Sequence, residues 1–186
     1  MTTTEATPTT TSRLQFASPL DNVATDIGLL IVRVVFGGLM AAFGAQKLFG
    51  WFNGYGLDAT QQMFEGMGYN PGTFFGTLAG LSELVGGLLL IFGLATPLAA
   101  AIVTGTMLNA INATWANGLF GTAEGPGIQS ALTFAAVAVA IGFTGAGKFS
   151  LDAGRPWERK GFVWGAGALA LAVAAGVLTL ILKSVL

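Results

Sequence analysis

The chain is polar for its first 25 residues and then apolar in long blocks. Residues 1–25, MTTTEATPTTTSRLQFASPLDNVAT, are rich in threonine and hold no extended apolar run. They predict a disordered tail, and they lack the charged start and apolar core of a cleavable leader. Five apolar stretches follow, at about 26–48, 74–94, 97–115, 128–143 and 161–182. Each approaches the roughly 20 residues needed to cross a bilayer, although the fourth is short. Backbone amides in hydrocarbon must bond within their own segment, so these stretches predict helices. Thr96-Pro97 suits the start of the third, with proline in its first turn. The expected fold is an all-α integral membrane protein: a four-helix transmembrane bundle plus a fifth, C-terminal transmembrane helix. Residues 1–25 form the tail, 26–152 the four-helix domain, and 153–186 the end of a loop and the extra helix.

Between the first two spans, LDATQQMFEGMGYNPG (57–72) places Leu57, Met63, Phe64 and Met67 on one face, opposite Asp58, Gln61 and Glu65. That pattern predicts a short amphipathic helix lying on the interface. A lid over an opening between spans one and two is the sharper alternative.

Composition narrows the chemistry. Of 186 residues 53% are hydrophobic and only 9% charged, too few charges to cover a surface in water. A net charge of −1 leaves no basic footprint for nucleic acid. With no cysteine and no histidine, the chain has no thiolate and no imidazole to ligate haem, an iron–sulfur cluster or a metal. Redox chemistry here requires a bound organic cofactor or a partner protein. Met40 and Met107 read as packing rather than copper ligands.

Charge also orients the chain. If the spans alternate, Arg13, Lys148, Arg155, Arg159 and Lys160 share one side, and Lys47 and Lys183 the other. The positive-inside rule puts the N-terminus in the cytoplasm and the C-terminus outside. On the basic side, GFTGAGKFSLD (142–152) comes close to a phosphate-binding loop. It follows a membrane helix rather than a strand, and Phe149 stands where the magnesium-binding hydroxyl belongs. It reads as a glycine-rich helix exit.

An ionisable side chain at the centre of a membrane helix costs about 2.5–3.5 kcal/mol, so Arg33 and Glu83 call for a partner or a purpose. Arg33, Gly37, Met40, Gly44 and Lys47 form one stripe on the first span, and Gly76, Gly80, Glu83 and Gly87 one on the second. Glycine-lined faces approach closely, so these two should pack together, with Arg33 extending towards Glu83. Gly105, Asn109, Asn112 and Ala116 on the third span, and Gln129, Thr133, Ala136 and Ala140 on the fourth, extend a polar interior line. The fifth span has no polar residue in its middle and is expected outside the bundle, with Gly161 and Gly165 offered to a second copy in a homo-oligomer.

Two readings of the buried charges stay open. One is an ion pair that only fixes helix register. The other is a pocket lined by Glu83, Asn109, Asn112 and Lys47 that takes a quinone: amide donors, with Arg33, hold the head, and Glu83 or Lys47 exchanges protons. The alternative for Lys47 is to snorkel to the interface, as a lysine at a helix end usually does. Trp51 and Trp115 serve either the aromatic belt, with Tyr55, Trp157 and Trp164, or stacking on the quinone ring.

At these residues a family resemblance emerges. FGAQKLFGW (43–51) resembles the end of the first helix in DoxX-type (DoxX/DoxD-like) membrane proteins. Glu83 followed by LVGGLLLIFGLATPLAA (84–100), and GAGKFSLD (145–152), are similar to that family's membrane glutamate, G-L-x-T turn and closing G-x-G-x-x-S-x-D. The resemblance covers about residues 26–152. It implies a four-helix bundle in the plasma membrane and marks Arg33, Lys47, Glu83 and Asp152. It implies a role within membrane oxidoreductase complexes, one member being the small subunit of thiosulfate:quinone oxidoreductase. The fifth helix and the long tail depart from the family, and thiosulfate is not implied as substrate. The expected function is thus a quinone-interacting subunit passing electrons from a partner to the quinone pool. Its rivals are a non-catalytic membrane anchor recruiting soluble partners through loop 148–160, and a protein that binds lipid or a small solute. Whether the chain itself catalyses is left open by its residues.

Overall fold

The structure, a computed structural model, describes residues 20–123 and 125–186. Its helices are α1 (Asp21–Phe49), α2 (Gly56–Gly66), α3 (Gly72–Phe92), α4 (Thr96–Thr114), α5 (Gln129–Thr144) and α6 (Phe162–Val185), with a 3-10 turn at Trp115–Asn117. Among the described residues there is no strand, only an isolated bridge between Thr122 and Gly125. The expected disordered tail lies mostly outside the described residues; its last five, 21–25, are helical. Helices α1, α3 and α6 are long and apolar enough to cross a membrane, whereas α5 is apolar over 16 residues and α4 has 19.

Close approach of α1 and α3 organises the bundle, and glycine allows it. A Cβ at Gly37 would lie 2.7 Å from Gly87 O, one at Gly87 2.6 Å from Gly37 O, and one at Gly44 2.6 Å from Gly80 O. The two predicted stripes therefore face each other, as expected from glycine spacing at helical period. Beside this seam Met40 and Leu90 join Val103 and Met107 of α4 and Phe134, Ala138 and Ile141 of α5 in one buried core. Phe134 meets Phe36 and Phe43 of α1 edge-on, at 5.5 and 5.7 Å between ring centres.

Three expectations are corrected by the packing. Gln129, Thr133, Ala136 and Ala140 of α5 are exposed, and the buried face is Ala131, Phe134, Ala135, Ala138 and Ile141. Both faces carry small residues; the one with Phe134 and Ile141 buries more apolar area and goes inward. Helix α6 does not stand outside the bundle. Its Gly165, Ala168, Ala172 and Gly176 are buried, with Gly165 against Phe143 of α5 and Ala172 against Gly105 of α4. Finally, α2 docks by Thr60, Gln61 and Phe64, while Met63 and Met67 are exposed. Backbone of α2 meets backbone of α3 where Gly72 and Gly76 lie against Gln61.

Candidate functional site

Two polar clusters sit at opposite ends of the α1–α3 seam. Cα–Cβ bonds in a helix tilt towards its N-terminus, and α1 and α3 are antiparallel. Lys47, near the end of α1, therefore leans back into the bundle, and Glu83 of α3 leans up towards it. Lys47 Nζ donates to Glu83 Oε2 at 2.6 Å. The glutamate is 5% exposed, while the lysine side chain retains 23% of its exposure and passes 5.9 Å from the Phe43 ring. Above the pair, fully buried Thr60 of α2 places its hydroxyl 2.7 Å from Gly56 O and 3.2 Å from Lys47 O. Helix α2 is thus fastened to the residue that holds Glu83.

The same tilt corrects the expected reach of Arg33. It lies 14 residues before Lys47, about 21 Å along α1, and its side chain is aimed away from Glu83. Arg33 is completely buried, and its guanidinium donates to Ala146 O and Phe149 O, each at 2.6 Å. Gly93, in the left-handed conformation at the end of α3, leaves room for it: a Cβ there would collide with Nη1.

Loop 145–152, the stretch with the look of a phosphate site, is a latch. Ala95 N and Thr96 N each donate to the Asp152 carboxylate at 2.9 Å, and the Thr96 hydroxyl donates at 2.7 Å. Asp152 thereby caps the start of α4 from 56 residues away, a role a local side chain usually fills. Leu151 N and Asp152 N bond to Phe92 O and Gly93 O at the end of α3, and Lys148 N donates to Asp26 of α1 at 3.0 Å. These contacts give the loop's backbone the partners that helical bonds do not supply.

The other expected site residues are dispersed. Asn109 faces α6, donating to Gly105 O at 3.1 Å beside a cavity of about 90 Å³ lined by Gly176 and Leu180. Asn112 is exposed. Trp51 and Trp115 are 60% and 66% exposed, as an aromatic belt requires, and Trp51 packs on Phe49. The larger cavity, about 660 Å³, lies between α4 and α6 near the latch and includes neither Glu83 nor Lys47.

Three residues were not anticipated. Asp26 anchors the latch, and Thr60 anchors α2. Tyr69 is 97% buried against Phe64 and Phe75, with Lys183 Nζ 3.9 Å from its ring centre. Burial raises the Tyr69 phenol above its usual value. A lone lysine closing α6 and a lone tyrosine before α3, both at the end of the bundle opposite the basic loop, were the available signal.

In comparison with known proteins, the DoxX family model matches residues 28–118. No curated protein and no solved structure matched the chain. The matched segment holds Arg33, Lys47 and Glu83, the glycine seam, and the α4 terminus on which Asp152 closes. Through residues 28–118, this membrane protein belongs to the DoxX family.

Proposed function

We propose that the chain is a quinone-facing membrane subunit of an oxidoreductase complex, working beside a partner that supplies the electrons. One observation carries this reading: a carboxylate 5% exposed is held by a lysine that keeps access to the outside of the bundle. With no cysteine or histidine in the chain, a proton-handling role is the chemistry its residues can offer. A bound quinone would supply the two-electron acceptor. Lys47 Nζ would donate to a head-group oxygen, and the Glu83 carboxylate would take up and release a proton. This pair fits one side of such a head. Asn109, Asn112, Trp51, Trp115 and Arg33 do not converge on it, so no further contact is derived. The proposal includes five membrane crossings in the plasma membrane, with the basic latch and N-terminus cytoplasmic and α2 and the C-terminus outside, in agreement with the charge asymmetry.

Glu83→Gln keeps the shape and removes the proton. In membranes containing the whole complex it should lower quinone-linked turnover by about 10²-fold or more while insertion is unchanged. Unchanged turnover removes the proposal. It would favour the anchor reading, for which the exposed Arg155, Trp157 and Arg159 beside the latch speak. In that case deleting 155–159 releases soluble partners while Glu83→Gln does nothing.

A further inference from the structure

The larger cavity is an open groove of about 660 Å³ between α4 and α6, within the roughly 300–1,000 Å³ of ligand sites. Pro97 and Leu98 form one wall and Gly167 and Leu171 the other, while Trp164 and Arg159 stand at its loop end. The guanidinium of Arg159 lies 4.8 Å from the centre of the Trp164 ring. Its Nη1 donates to Pro156 O at 3.1 Å and to Glu158 O at 3.2 Å. Nε and Nη2 have no acceptor among the described residues, which leaves three N–H donors on a group already fixed in place.

The surrounding charge is complementary to an anion. The carboxylate of Asp152 is spent on α4, and that of Glu158 is taken by Lys160 at 2.7 Å and by Gly154 N at 2.9 Å. Arg159 and Arg155, the latter stacked near Trp157, have no carboxylate partner among the described residues. One unneutralised guanidinium, that of Arg159, therefore borders a slot lined otherwise by aliphatic and tryptophan side chains, with Arg155 beside Trp157 of that lining.

We propose that this groove binds an anionic phospholipid, with its phosphate on the free edge of Arg159 and one acyl chain along Leu98, Gly167 and Leu171. A guanidinium presents paired donors to phosphate oxygens, and the tryptophan beneath it restrains its direction. A neutral molecule of quinone type would fill the slot and accept from these donors, but would leave the positive charge unneutralised. The site lies outside the Lys47–Glu83 cluster and does not depend on its role.

Gly167 provides a clean test, because a Cβ there meets nothing within 4 Å. Gly167→Leu should therefore fill the groove without disturbing the fold. Delipidated full-length protein is titrated with phosphatidylglycerol or phosphatidylcholine in mixed micelles, and bound lipid is counted by native mass spectrometry. The expected result is one tightly held phosphatidylglycerol per chain. Affinity should fall about five-fold or more in Arg159→Ala, as for loss of one basic residue at a lipid head group. Arg159→Lys should recover part of it, and Gly167→Leu should abolish the bound lipid at unchanged melting temperature. Gly38→Leu, where a Cβ also meets nothing, is the matched control and should bind normally. Equal retention of both lipids, unimpaired binding by Gly167→Leu, or preferential retention of a neutral quinone would each overturn the proposal.

Discussion

Gly44→Ala tests whether the α1–α3 seam sets the geometry of Lys47 and Glu83. The added carbon would sit 2.6 Å from Gly80 O and 2.8 Å from Leu84 Cα. Comfortable contacts to carbon are about 3.5–4.0 Å, so the helices must separate by about 1 Å at this level. The obstacles are backbone atoms of α3, which cannot turn aside as a side chain would. Lys47 is only three residues further along α1 and moves with it. A 2.6 Å bond stretched by about 1 Å passes out of the range of charge-assisted hydrogen bonds. Overpacking costs about 1–3 kcal/mol, and losing a charged hydrogen bond about 1.5–3 kcal/mol more. Gly38→Ala is the internal reference, since a Cβ there meets nothing and alanine in a helix gains about 0.5–1 kcal/mol over glycine. Thermal melting of both variants in detergent, followed by tryptophan fluorescence, reads the difference. Gly44→Ala should melt well below wild type and Gly38→Ala at or above it. If the two melt together, the helices do not approach as described and the seam has no hold on the pair.

Other expectations concern the latch and the far end. Asp152→Ala removes three hydrogen bonds from the start of α4 and should cost about 3–5 kcal/mol, as for one partner of a buried charged network, in the same melting assay. Asp152→Asn, which keeps an acceptor, should recover part of that loss; an unperturbed Asp152→Ala would refute the latch. Lys183→Met keeps the aliphatic stem but removes the charge over Tyr69, and should cost about 0.5–2 kcal/mol, with faster amide exchange confined to the end of α6 and residues 67–70. Asn112→Ala, at an exposed position, should stay within about 0.5 kcal/mol of wild type.

How much of this could be read from sequence depended on whether the relevant period was local. The glycine stripes of α1 and α3 were legible because close approach needs small residues at helical spacing on both partners, and both had them. The α5 stripe misled because small residues occur all round that helix; only Phe134 and Ile141 distinguish its inner face. The role of α6 was hidden for the opposite reason. Absence of polar residues left Gly165 assigned to a second copy and drew attention away from Ala168, Ala172 and Gly176, whose spacing with it marks a packed face. Arg33 was assigned to the wrong partner because hydropathy gives depth but not side-chain direction, and the tilt of Cβ decides between two ends of a helix. The acceptors that satisfy Arg33, Ala146 and Phe149, lie 113 and 116 residues away in a loop. No one-dimensional pattern locates such a contact, although the motif containing Asp152 marked where it would close. In the candidate site, Glu83 was legible as a costly charge and Lys47 as the end of the α1 stripe facing it, and the structure joins them. Asn109 and Asn112 were grouped with them as one polar face of the third span, and α4 turns them elsewhere.

The central claim is that Glu83 is held by Lys47 rather than by Arg33. Solid-state NMR of bilayer-embedded protein, with lysine ammonium nitrogen and glutamate carboxyl carbon labelled, measures it directly. The Glu158→Gln background removes the second lysine–glutamate pair, Lys160 with Glu158. A remaining nitrogen–carbon coupling at about 3.5 Å, abolished by Glu83→Gln, is the predicted result. Absence of that coupling, with glutamate carboxyl carbon instead coupled to arginine guanidinium nitrogen, would contradict it.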